Sequence, residues 1–144
     1  MNQTPPLNSC LGKQQQLKQL FSCCPSSQQR YEKIIELGRT LEPYQKDLKT
    51  PSHLVSGCQS VMYLDAQMQG GKVRFLAYSE ALISAGLAAV LLFVYNDETP
   101  ETILTCPPLF LEELGISASL SPSRSNGLAS LFKTMQQRSL NFLV

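Results

Sequence analysis

The residue best suited to covalent chemistry is Cys58, in the stretch PSHLVSGCQSVMYL from Pro51 to Leu64. Pro51 fixes its own φ and biases Thr50 towards an extended conformation, so a helix before it must already have ended. Gly57 permits the positive φ of a tight loop. Gln59 and Ser60 are polar, and alternation of apolar and polar residues begins only at Val61. Cys58 is therefore expected at a loop-to-strand junction, displayed rather than packed, where reactive groups concentrate. A free cysteine is more often a small buried hydrophobe. The Gly-Cys-Gln-Ser setting is what favours a nucleophile. His53, the one histidine, lies just upstream and is the candidate base.

The other thiols are Cys10, Cys23, Cys24 and Cys106. None has a displayed setting, and they are expected to be structural or incidental. Buried helix-end positions are favoured for Cys23 and Cys24 over a strained vicinal disulfide, and Cys106, before Pro107-Pro108, is read as capping a loop. No CxxC occurs and one histidine cannot complete a familiar zinc spacing, so no metal and no cofactor are expected. Five cysteines, an odd count without a recognisable signal peptide, suit a reducing compartment.

Twelve basic and eleven acidic residues among 144 leave a net charge of +1, which gives no basis for a nucleic-acid partner. Mean hydropathy is -0.07, and no stretch reaches the roughly 18 apolar residues of a membrane span. A soluble, cytoplasmic protein is expected.

The elements that must position Cys58 follow from periodicity. Residues 1–9 are polar and expected to be poorly ordered. Leu17, Leu20 and Phe21 sit at helical spacing, giving an amphipathic helix that ends before Pro25. Ser26 or Ser27 can cap a second helix, with Tyr31, Ile34, Ile35 and Leu41 inward and Pro43 as its stop. Val61 to Met68 alternates, Gly70-Gly71 signals a turn, and Lys72 to Tyr78 returns, so an antiparallel hairpin is predicted. Ser79 is read as the N-cap of an almost wholly apolar helix to Tyr95, with Glu80 in its first turn. Thr99-Pro100-Glu101 opens a short helix to about Thr105, and Pro107-Pro108 starts another ending at Gly115. Ser121-Pro122 opens a terminal helix with Leu128, Leu131, Phe132, Met135 and Phe142 inward. The chain is thus expected to be a single α+β domain over 1–144, with helices packed on a small antiparallel sheet.

GCQS followed by a strand, a helix opened by Ser79-Glu80, and SPSRSNGL near the C-terminus together resemble the SufE family of sulfur-acceptor proteins. The similarity runs from about residue 14 to the C-terminus in matching order. It implies a SufE/IscU-like fold with a short third strand. It also implies a persulfide on Cys58, and a pocket that the cysteine loop covers. The implied partners are a pyridoxal-phosphate cysteine desulfurase of the SufS/CsdA kind and a downstream SufBCD-like scaffold, with this chain a monomer or weak homodimer. Arg124 matches an arginine of the family motif, where a guanidinium would lower the thiol pKa or bind a partner carboxylate. Glu80 stands where the family usually has an aspartate and is read as orienting the loop or helix start. Tyr63 replaces a frequent tryptophan, Tyr78 replaces a small or acidic residue, and the N-terminus is longer and glutamine-rich.

Persulfide transfer needs one accessible thiol, partial thiolate character and a loop able to enter a partner's active site. It needs no metal and no second catalytic acid, so such a carrier is not itself an enzyme but stimulates the desulfurase. Leu54, Val55 and Met62 are expected to shelter the sulfur; Gly57 and Gln59 support the loop. A Cys-nucleophile hydrolase would require His53 as base with an orienting Asn or Asp. An IscU-type cluster scaffold would require three cysteines and an aspartate to converge.

Overall fold

The computed structural model describes residues 7–58 and 60–144. The poor order expected of residues 1–6 and the supporting role expected of Gln59 therefore lie outside the described residues. Helix α1 spans Leu7–Phe21, so residues 7–9 are helical rather than poorly ordered. Helix α2 spans Ser27–Gly38. Strands β1 (Met62–Gln69) and β2 (Lys72–Ser79) follow, then helices α3 (Leu82–Tyr95), α4 (Pro100–Thr105), α5 (Phe110–Glu113) and α6 (Pro122–Asn141). Helices on a two-stranded antiparallel sheet make the α+β architecture expected.

Local chemistry accounts for most boundaries. Ser26 Oγ accepts from the Gln29 N–H, and Gln29 Oε1 accepts from the Ser26 N–H, each at 3.1 Å, a reciprocal capping box. Helix α2 stops at Gly38, well before Pro43, yet Leu41 still packs against the core. Gly70 and Gly71 have φ of 61° and 81°, the two positive values that a tight hairpin turn demands. That turn fixes the register Gln69↔Lys72 through Met62↔Ser79. Thr99 caps α4 and Ser121 caps α6, each with proline at the helix start.

Four expectations need correction. Ser79 does not cap α3: it remains paired with Met62 at the end of β2, and its Oγ accepts from the Ala81 N–H instead. Helix α3 starts at Leu82, leaving Glu80 exposed outside its first turn. The third strand does not form among the described residues; single bridges, Leu54↔Tyr63 and Val73↔Glu98, border the hairpin instead. Asn96 extends the second bridge, its side-chain amide pairing with both backbone groups of Phe75. Helix α5 is a single turn, and Phe142 lies past the end of α6, 37% exposed.

The core is built around α3, which packs against α1, α2, α6 and β2. Its Val90, Leu91, Val94 and Tyr95 are fully buried, facing Leu64, Val73 and Phe75 of the hairpin and Met135 of α6 in one continuous apolar cluster. Where α2 crosses α3, Gly38 lies against the backbone of Gly86, and Gly86 lies against the Ile34 carbonyl. A side chain at either glycine would strike backbone, so the two helices meet only because both positions lack Cβ.

Candidate functional site

Cys58 sits on a loop whose two stems are fixed. On one side, the Val55 N–H donates to the Met62 carbonyl at 2.9 Å, beside the Leu54↔Tyr63 bridge. Gly57, with φ of 86°, then turns the chain towards α6, where its missing Cβ leaves room for the Ser130 hydroxyl. Cys58 is half-buried. Its thiol donates to the Gly127 carbonyl at 3.6 Å, and the thiol and Cα lie 3.7 and 3.6 Å from where a Gly127 Cβ would stand. The sulfur is thus tucked under the first turns of α6 rather than displayed.

The thiol faces a pocket of about 210 Å³ between the loop, the start of α3 and the start of α6. Met62, Ile83, Leu87, Leu128 and Leu131 give it an apolar floor, and Arg124 stands on its wall. Of the sheltering residues expected, only Met62 lines it. Val55 is buried in the core and Leu54 is 43% exposed. Two apolar side chains interleaved with lining residues point outward: Val61, between Ser60 and Met62, is 55% exposed, and Leu82, between Ala81 and Ile83, is 59% exposed.

Burial pushes the Cys58 thiol pKa up, because a thiolate is poorly solvated there. Arg124 is partly buried, its guanidinium 5.6 Å from the centre of the Tyr31 ring, and it makes no salt bridge among the described residues. His53 is not brought to the thiol. Its Nε2 lies 3.1 Å from Asp65 Oδ1 and its Nδ1 lies 2.8 Å from Thr50 Oγ1, so both ring nitrogens are engaged with other groups. The arrangement a hydrolase would need is therefore not assembled. No three His, Cys, Asp or Glu side chains gather as a metal-ligand set among the described residues.

Residues 15–139 match the family model described as SufE: Fe-S metabolism associated domain. The chain belongs to the SufE family. It is 38% identical over 113 residues to an uncharacterized SufE-like protein of Synechocystis, covering 78% of this chain and 71% of that one. It is 32% identical over 140 residues to the SufE-like protein 1, chloroplastic/mitochondrial, of Arabidopsis thaliana; this covers 96% of this chain but only 38% of the plant protein. The solution structure of a hypothetical protein from Thermus thermophilus has the same fold, with a TM-score of 0.76 and 26% identity, covering 91% of this chain and 96% of that one. No helix among the described residues is long and apolar enough to cross a membrane.

Within this SufE-family chain the fold brings Cys58, Gly57 and Arg124 together and leaves His53 and Glu80 outside the pocket. Sequence reasoning passed over Gly127, whose carbonyl receives the thiol and whose bare Cα lets the loop approach. Its signal was a glycine inside an otherwise uninterrupted helix, where the loss of stability relative to alanine calls for a packing reason. Ile83 and Leu87 are buried side chains of the apolar helix α3. Their second role, as the pocket floor, depends on a contact no local pattern records. The other thiols also separate: Cys24 is buried, Cys23 is exposed, and Cys10 and Cys106 meet in the core.

Proposed function

We propose that this protein is a sulfur carrier whose Cys58 takes sulfane sulfur from a pyridoxal-phosphate cysteine desulfurase and passes it to a SufBCD-like scaffold for iron–sulfur assembly. The observation that carries the reading is one thiol, in a SufE-family chain, facing a pocket with an apolar floor beside an arginine. The Cys58 thiolate attacks the outer sulfur of the donor's persulfide, the S–S bond breaks, and the donor cysteine leaves as a thiolate. The terminal sulfur of the new persulfide then lies against Ile83, Leu87 and Leu128, away from reductants. Because the resting thiol points inward with a raised pKa, transfer requires the loop to turn outward, hinged at Gly57 between its fixed stems. Exposed Val61 and Leu82 supply apolar contacts for the desulfurase at the mouth of the pocket, and Arg124 supplies a charge for one of its carboxylates. The carrier turns over nothing without its partner, and the cytoplasmic site and monomer or weak homodimer state expected from sequence belong to this reading.

Incubation with the desulfurase from the same source and free cysteine, without reductant, tests it. The protein should gain about 32 Da per sulfur, located on Cys58, and desulfurase turnover should rise. Cys58→Ser should abolish both while leaving binding largely intact. If Cys58→Ser stimulates the desulfurase as well as wild type, the carrier role fails.

A further inference from the structure

Cys10, on α1, and Cys106, immediately after α4, lie 96 residues apart in sequence and meet inside the core. Their sulfurs stand 2.6 Å apart, with side chains 0% and 1% exposed. The neighbours Cys23 and Cys24, adjacent in sequence, keep their sulfurs at 3.9 Å. The surroundings hold the pair in place. Gln14 Nε2 donates to Cys106 Sγ at 3.3 Å and to the Pro107 carbonyl at 3.2 Å, and lies 3.8 Å from Cys10 Sγ. The Tyr95 hydroxyl donates to the Cys106 carbonyl at 2.6 Å. Side chains from two helices, Gln14 of α1 and Tyr95 of α3, thus hold the pair in place. Two thiols acting only as small hydrophobes need no such approach.

We propose that Cys10 and Cys106 are a disulfide-forming pair that fastens the N-terminal helix to the core. The oxidant class is a low-molecular-weight disulfide such as glutathione disulfide. One thiol of the pair, deprotonated when α1 lifts, attacks the glutathione disulfide and expels one glutathione thiolate. The second thiol, deprotonated in turn, attacks the protein sulfur of that mixed disulfide and expels the other. Two protein thiols lose two protons and two electrons, and the glutathione disulfide gains the electrons to become two glutathiones.

The position gives the bond its consequence. Apart from its apolar face, α1 is held by Lys13 and Ser9 on the buried Glu98, by Gln14, and by the solvent-exposed Lys18–Glu113 pair, which contributes little. A cross-link closing 96 residues ties α1 to the core and stabilises the fold, because it removes a long loop's freedom from the unfolded state. The contact lies on the α1–α4 side of the molecule and uses none of the residues lining the Cys58 pocket. Its test is therefore independent of sulfur transfer.

Wild-type protein equilibrated with glutathione disulfide until its composition stops changing, then alkylated in acid and digested with trypsin, should yield a peptide joining Cys10 to Cys106. The Cys10–Cys106 bond alone removes about 2 Da. The oxidised protein should melt about 10 °C above the reduced one, and the difference should vanish in Cys10→Ala and, separately, in Cys106→Ala. The peptide map decides the matter even if either variant folds poorly. Recovery of Cys10 and Cys106 as alkylated thiols, or a bond between Cys23 and Cys24 alone, would overturn the proposal.

Discussion

Burial is the cause of the raised Cys58 pKa, and this separates two roles that the sequence left open for Arg124. A guanidinium serving chiefly to make a thiolate would oppose the burial effect. One serving to meet a partner carboxylate would leave the free protein's thiol as burial sets it. The side chain on the pocket wall, resting over Tyr31 without an internal carboxylate among the described residues, fits the second role. Two outcomes follow for the residue. In the free protein, alkylation of Cys58 by iodoacetamide, read by peptide mapping, should have its midpoint above the ordinary thiol value of 9.0. Arg124→Ala should leave that midpoint in place while slowing sulfur uptake from the desulfurase by about tenfold, the loss of one charge-assisted hydrogen bond. A midpoint that rises in Arg124→Ala would return the arginine to the role of thiol activator. His53 shows the opposite limit of inference from sequence. Nearness along the chain suggested a base for Cys58, but β1 presents Asp65 to the imidazole, and the shorter path in space decides.

At the scale of elements, what was legible is what local rules govern. The Gly70-Gly71 turn, the Ser26 capping box, and the Thr99-Pro100 and Ser121-Pro122 starts each depend on residues within one turn of one another. The misread start of α3 is a conflict between two such rules. Ser79 is a good cap, but the register set at Gly70-Gly71 carries strand pairing through to Met62↔Ser79, and the sheet claims it first. The α2–α3 crossing is legible only as small residues in an apolar run; that Gly38 and Gly86 face each other is a tertiary fact. That contact yields a paired prediction. Gly86→Ala puts a methyl into the Ile34 carbonyl, so despite better helix propensity it should cost about 2 kcal/mol or more, read as a lower urea midpoint at unchanged slope. Gly12→Ala, exposed on α1 with nothing within 4 Å of the added Cβ, should instead gain up to about 1 kcal/mol. Equal shifts in the two variants would mean that α2 and α3 do not pack backbone to backbone.

Across the whole molecule, the groups whose ionisation the fold opposes all err in one direction. Burial raises the pKa of Cys58 and Cys10, pushes Tyr44 up to about 12, and raises Tyr95, whose hydroxyl is held by the Cys106 carbonyl. Each stays protonated in the folded protein at pH values where the unfolded chain, with thiols near 9.0 and phenols near 10.0, gives its proton up. Above about pH 9 the unfolded state therefore binds fewer protons than the native state, and stability must fall as pH rises. Below that point both states keep these protons and the contribution is constant. With the thiols held reduced, the urea midpoint should be level from pH 7 to about 8.5 and then decline steadily towards pH 10.5. Tyr95→Phe separates this effect from ordinary packing. It removes the hydrogen bond to Cys106 and should cost about 1 kcal/mol at pH 7. It also removes one of the protons that the unfolded chain releases, so it should lose less stability than wild type between pH 9 and 10.5. A wild-type midpoint that holds level or rises over that interval would mean that these thiols and phenols ionise as freely in the folded protein as in the unfolded chain, and that the core around Tyr95 and Cys106 is open to water.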